Sequence, residues 1–139
     1  MKTLDLWRRS AFVWGQTDCI MATCNHVRDE TGIDPAAPWR GTYDDEAGAK
    51  AIYQKYGGVL GLFKHGMARA GFAMTKHLQP GMPVVCDVAG HEVAGLNLGN
   101  RVAFMAAGRG VVEMRAKVLA AWSLEHQSSQ LLVVEHENC

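Results

Sequence analysis

Apolar positions along this chain repeat with a helical period in the first half and alternate over short runs in the second. Ile20, Thr23, Cys24 and Val27 fall at i, i+3, i+4 and i+7, one helix face with Thr23 as its polar member. The spacing predicts a helix from about Cys19 to Thr31, stopped by Gly32. Leu60, Phe63, Met67 and Ala70 mark a second such face, in a helix from about Val59 to Ala70 that Gly71 closes. Acids first and Lys50 and Lys55 later predict a helix from about Asp45 to Tyr56, broken by Gly57-Gly58. At the start, Leu4, Leu6, Trp7, Ala11 and Phe12 mix with Lys2, Asp5, Arg8 and Arg9 as in a short amphipathic helix.

From Pro80 onward the pattern shortens. β-like runs cover Pro83 to Val88, Glu92 to Leu98, Arg101 to Ala106 and Val111 to Met114. Gly99-Asn100 suits a two-residue hairpin loop, and Gly108-Arg109-Gly110 reads as a turn. A short helix is expected over about Ala116 to Trp122, and a last strand over Gln130 to Glu135. Helices followed by a small antiparallel sheet make an α+β fold. The 139 residues suit one domain, with a helical half over about 1–72 and a sheet half over about 80–135.

Composition narrows the function classes. Lys plus Arg and Asp plus Glu are 14 each, so no basic excess argues for nucleic acid and no acidic block for a disordered tail. A surface of zero net charge is poorly protected against association, which leaves self-association open. No apolar run reaches the roughly 18 residues of a membrane span. The first residues lack the apolar core of a signal peptide, so synthesis in the cytosol without export by that route is expected. Cys19, Cys24, Cys86 and Cys139 form no Cys-x-x-Cys pair, and free thiols are the default.

The stretch Phe12-Val13-Trp14-Gly15-Gln16-Thr17-Asp18-Cys19 carries the candidate chemistry. Asp18 is a good N-cap, which makes Cys19 the first helical residue. The positive end of a helix dipole favours a thiolate, and a lowered thiol pKa is what a cysteine nucleophile needs. Such a nucleophile also needs a histidine within hydrogen-bond reach. His26, seven residues on, lies about 10 Å along the helix axis, too far for proton transfer, and reads as a partly exposed helix residue. His65 and His77 read as surface residues, and nothing around His126 or His136 marks a site. His91 alone enters the central hairpin, either as a surface turn residue or as a base. Cys19, Cys24, His26, His136 and Cys139 could be metal ligands, but Cys-x4-Cys-x-His on one helix fits no standard zinc pattern. No metal and no cofactor are expected.

Three segments carry a resemblance. Phe12-Val13-Trp14-Gly15 with Asp18-Cys19 opening a helix resembles the nucleophile segment of NlpC-type cell-wall cysteine peptidases, which have a papain-like fold. Leu78-Gln79-Pro80-Gly81-Met82-Pro83-Val84-Val85 resembles that family's turn into the first strand, and Val93 to Asn100 its histidine-bearing strand and hairpin. Small proteins encoded among the tail-tip genes of long-tailed bacteriophages are similar over nearly the full length. The similarity includes Asp34-Pro35-Ala36-Ala37, Arg40-Gly41-Thr42-Tyr43, Gly57-Gly58, Leu98 to Phe104 and Ala121-Trp122.

The resemblance implies a papain-like NlpC-type fold and a setting in a phage tail tip or baseplate. Other tail-tip proteins would be its partners, with residence in the host cytoplasm during assembly and then in the virion tail tip. The departures bear on activity. Val93 stands where the peptidases carry the catalytic histidine, Phe104 near the third polar residue, and Met82 where an acid follows Pro-Gly. Either His91 substitutes two residues earlier on the same strand face, or catalysis has been lost; two departures at two roles favour loss. The expectation is a structural or assembly component, with the Asp34 to Thr42 loop and the Glu135 to Cys139 tail as exposed contact segments. The alternative is an active peptidoglycan or tail-maturation peptidase, with Cys19 as nucleophile, His91 as base and the Cys19 backbone N–H in the oxyanion hole.

Overall fold

The computed structural model describes residues 1–126. Four helices come first: α1 (Lys2–Arg8), α2 (Cys19–Thr31), α3 (Glu46–Gln54) and α4 (Val59–Ala70). Six strands follow: β1 (Phe72–Met74), β2 (Pro83–Val88), β3 (His91–Asn97), β4 (Val102–Ala106), β5 (Gly110–Met114) and β6 (Lys117–His126). The strands form one antiparallel sheet in the order β1-β6-β2-β3-β4-β5. The fold is α+β.

Local signals explain the helix ends. Asp18 caps α2 by accepting a hydrogen bond from the Met21 N–H, and Gly32 ends it in the left-handed conformation. Asp45 caps α3 through the Gly48 N–H, and Gly71 closes α4 as Gly32 closes α2. In α1, Leu4 and Trp7 turn inward three residues apart, while Leu6 lies outside at 49% exposure.

Cross-strand partners share a sheet face, and this sorts the core. Val85 pairs with Ala94 and with Ala120. All three join the main core, with Ile20, Met21, Cys24 and Val27 of α2 and Leu62, Phe63 and Met67 of α4. On the far face, Val84 and Cys86 pack with Val102 and Ala121. A third cluster joins Leu4 and Trp7 of α1 to Ala22 of α2 and to Leu96, Ala103 and Met105 of the sheet. Thus α2 touches two of the three clusters and is the central element of the helical layer.

One predicted element is of the other kind. The helix expected over about Ala116 to Trp122 is the first half of β6. Ala120 and Trp122 bury against the helical layer while Ala121 buries on the opposite face. Over Ala120 to Trp122 both faces are buried, so the polar alternation that marks a strand is lost there, and the alanines read as helix. Strand β1 was not foreseen either. The strand expected over Gln130 to Glu135 and the Glu135 to Cys139 tail lie outside the described residues.

Candidate functional site

The aromatic turn before α2 is held by short backbone and hydroxyl bonds. Gln16 and Thr17 donate their N–H groups to the Val13 carbonyl at 3.0 and 2.8 Å. The Thr17 hydroxyl donates to the Ala11 carbonyl at 2.6 Å and accepts from the Val13 N–H at 2.9 Å. Phe12 and Trp14 meet edge to face at 4.7 Å between ring centroids. Gly15 has φ +82°, and a Cβ there would stand 2.2 Å from the Tyr43 carbonyl oxygen. Only glycine fits that turn.

The turn delivers Asp18 and Cys19 to the start of α2. Asp18 is 1% exposed, and its carboxylate accepts three hydrogen bonds: from the Met21 N–H at 2.9 Å, the Gly15 N–H at 2.7 Å and the Tyr43 hydroxyl at 2.8 Å. Burial first, and then the Asp18 charge, push the Tyr43 phenol far above its ordinary range. The hydroxyl therefore stays protonated and donates.

Cys19 departs from the expectation of an activated thiol. Residue 19 is half-buried, yet burial is the main cause that pushes its thiol up to about 11, and the Asp18 charge adds to it. The backbone N–H of Ala94, with those of Ile20 and Cys19, acts the other way and is outweighed. The helix dipole argument predicted a lowered value; burial, with a carboxylate one residue away adding to it, reverses it. At neutral pH the thiolate is on the order of one molecule in ten thousand. Cys24, deeper in the core, is pushed higher still by burial and then by the Asp34 charge.

The histidines take separate places. His91 is the exposed first residue of β3, beside Tyr53, Gly58 and Glu92 in a hollow of about 360 Å³. Cys19 meets the same strand at Ala94, three residues on, about 10 Å along it. Ala94 points at the helices, whereas His91 and Val93 pair with Val88 and Cys86 on the far face. The strand does not turn His91 toward Cys19. His65 is exposed against Tyr56, and His77 is exposed. Among the described residues no histidine hydrogen-bonds to Cys19, and no three His, Cys, Asp or Glu side chains converge as a metal site.

His26 corrects a sequence expectation. It is 3% exposed rather than a partly exposed helix residue. Its Nε2 lies 2.8 Å from the Gly81 carbonyl and its Nδ1 lies 2.7 Å from the Thr3 hydroxyl. A carbonyl only accepts, so Nε2 carries a proton and donates to Gly81, while Nδ1 is bonded to the Thr3 hydroxyl. The ring ties α1, α2 and the turn before β2 together.

The Asp34 to Thr42 loop is likewise less free than expected. Arg40 donates through Nε and Nη2 to both Asp34 oxygens at 2.7 and 2.9 Å, and through Nη1 to Asn25 at 2.7 Å. Burial alone would raise the Asp34 carboxyl; the Arg40 fork and the Ala36 N–H outweigh it and hold the pKa below the usual range. Pro35, Ala36 and Trp39 are buried, and Ala37, Pro38, Gly41 and Thr42 form the exposed part. Asn25 donates to the Gln16 carbonyl at 2.9 Å, so this loop is coupled to the aromatic turn.

The family model described as a domain of unknown function, DUF6950, matches residues 1–124. The chain belongs to the DUF6950 family. No curated protein and no solved structure matches it.

In this DUF6950 domain, three residues that shape the site region escaped sequence reasoning. Tyr43 carries no local signal, since it meets Asp18 across 25 positions. Glu92 accepts from the Leu60 N–H at 3.1 Å, capping α4 from another element. The signal for it was a helix start at Gly58 with no capping side chain of its own. His26 stands four residues after buried Ala22, which extends the inward stripe beyond Ile20, Cys24 and Val27.

Proposed function

We propose that this DUF6950 domain is a structural or assembly component of a bacteriophage tail tip or baseplate, built on a degenerate NlpC-type papain-like fold. The observation that carries the loss of catalysis is the setting of Cys19. Its thiol opens the central helix, where a peptidase nucleophile would stand. It is pushed up to about 11 by burial and by Asp18, and it meets the backbone of Ala94 rather than a histidine. Acyl transfer needs a proton acceptor at the nucleophile and a donor to the leaving group, and His91 faces away from it. The tail-tip setting rests on the sequence resemblance. Its partners would be other tail-tip proteins, met in the host cytoplasm during assembly and in the finished tail.

The test uses a phage that encodes this chain. Deleting the gene is expected to give incomplete or non-infectious tails, and Cys19→Ala is expected to plate like the wild type. Intact tails after deletion would exclude the assembly role. Hydrolysis of purified peptidoglycan by the wild-type protein, abolished in a folded Cys19→Ala variant, would exclude the non-catalytic reading.

A further inference from the structure

Two hollows of about 220 and 230 Å³ lie side by side on the sheet and share Leu78 and Val118. Together they form a groove. Val102 lines its floor and belongs, with Val118, to the apolar cluster on the face away from the helices. Leu78 is 45% exposed beside it. Lys76, Arg101 and Arg115 line the groove, and no acid does. All three cations are exposed, and none has an ion pair among the described residues. An apolar floor flanked by unpaired cations fits an acidic ligand surface.

The same chain carries that surface. Asp44, Asp45 and Glu46 are consecutive and exposed, at the entry to α3. Asp45 is engaged as the cap of α3, Glu46 makes an exposed pair with Lys50 at 3.2 Å, and Asp44 has no ion pair among the described residues. This corner follows Tyr43, which reaches into the helical layer. The basic groove lies on the opposite face of the sheet.

We propose that the groove around Leu78 and Val118 docks a second copy of this chain through its Asp44-Asp45-Glu46 corner. Because donor and acceptor surfaces differ and lie on opposite sides, the contact is head-to-tail. Repetition of such a contact builds rings or filaments rather than a closed two-fold dimer.

Sedimentation velocity on the full chain tests this, with far-UV circular dichroism confirming that each variant is folded. The wild type is expected to sediment as species larger than a monomer, increasing with concentration and dissociating in high salt. Arg101→Glu with Arg115→Glu, and separately Asp44→Lys with Glu46→Lys, should each weaken association by about tenfold or more. Mixing the two variants should restore a single contact and give a 1:1 dimer, since one supplies an intact corner and the other an intact groove. A monomeric wild type, association indifferent to either variant, or a mixture that stays monomeric would each overturn the proposal.

Discussion

The Tyr43 hydroxyl donates a 2.8 Å hydrogen bond to Asp18 Oδ2, across 25 positions of sequence, inside the main core. The same oxygen accepts from the Gly15 N–H, while the other carboxylate oxygen caps α2. One buried carboxylate thus fixes the aromatic turn, the helix start and the segment leading to α3. Tyr43→Phe removes one of its three donors and should cost about 1–2 kcal/mol, read as a lower urea midpoint at unchanged slope. Asp18→Ala removes the cap and orphans two buried donors, and should cost about 2–4 kcal/mol. A double variant should cost less than the sum, because both changes break the same bond.

The thiol of Cys19, raised from 9.0 to about 11, makes a kinetic prediction. Alkylation by iodoacetamide at neutral pH should be much slower than for an unfolded-chain cysteine, and should rise steeply as pH approaches 11. Mass spectrometry of the modified peptide reads this site by site. Rapid labelling of Cys19 at neutral pH would contradict the burial argument and reopen a nucleophilic role.

Linkage gives the same group a stability signature. The folded state holds the proton of Cys19 more tightly than the unfolded state, and so it does for Cys86, also pushed up by burial to about 11. The stabilisation is therefore complete below pH 9 and is lost as pH rises through 11. Urea midpoints should fall over that window, and a Cys86→Ala variant should fall less steeply. A flat profile would show that these thiols titrate alike in both states.

Much of this fold was legible because its helices carry their own punctuation. Asp18 and Gly32 bound α2, and Gly58 and Gly71 bound α4, at the residues the pattern predicted. Strand β2 likewise runs from Pro83 to Val88 as expected. What was not legible depends on pairing across the chain. Three-residue β1 exists only by its ladder to β6, and β6 hides its alternation over Ala120 to Trp122, where both faces are buried. The position of Cys19 could be read from its cap. Its chemistry could not, because desolvation by a sheet and the charge of a buried Asp18 are properties of the assembled core.

His26 offers a test of how the halves are joined. Replacing it with Ala breaks both bonds, leaving the Thr3 hydroxyl and Gly81 carbonyl short of a partner, and should cost about 2–4 kcal/mol. Thr3→Val removes only the α1 bond and should cost about 1 kcal/mol. Hydrogen exchange should then quicken first in α1 for Thr3→Val, and in both α1 and the residues before β2 for His26→Ala.

Helix α4 supplies the last prediction, since its cap comes from a strand. Gly58 stands at the N-cap with no side chain to offer, and the Glu92 carboxylate accepts from the Leu60 N–H in its place. A carboxylate at a helix N-terminus gains from the dipole as well as from the bond. Glu92→Ala should cost about 1–2 kcal/mol, with faster amide exchange confined to the first turn of α4. Glu92→Gln keeps an acceptor oxygen and should lose only the charge, a few tenths of a kcal/mol. Restoring a cap from the helix itself is obstructed. The backbone at Gly58 has φ +132°, which L side chains rarely adopt, and a Cβ there would also push aside the Glu92 carboxylate that caps the helix. Gly58→Asp should therefore destabilise, although aspartate is among the best N-caps elsewhere. A stabilising Gly58→Asp would show that the strand and helix can separate enough to exchange one cap for the other.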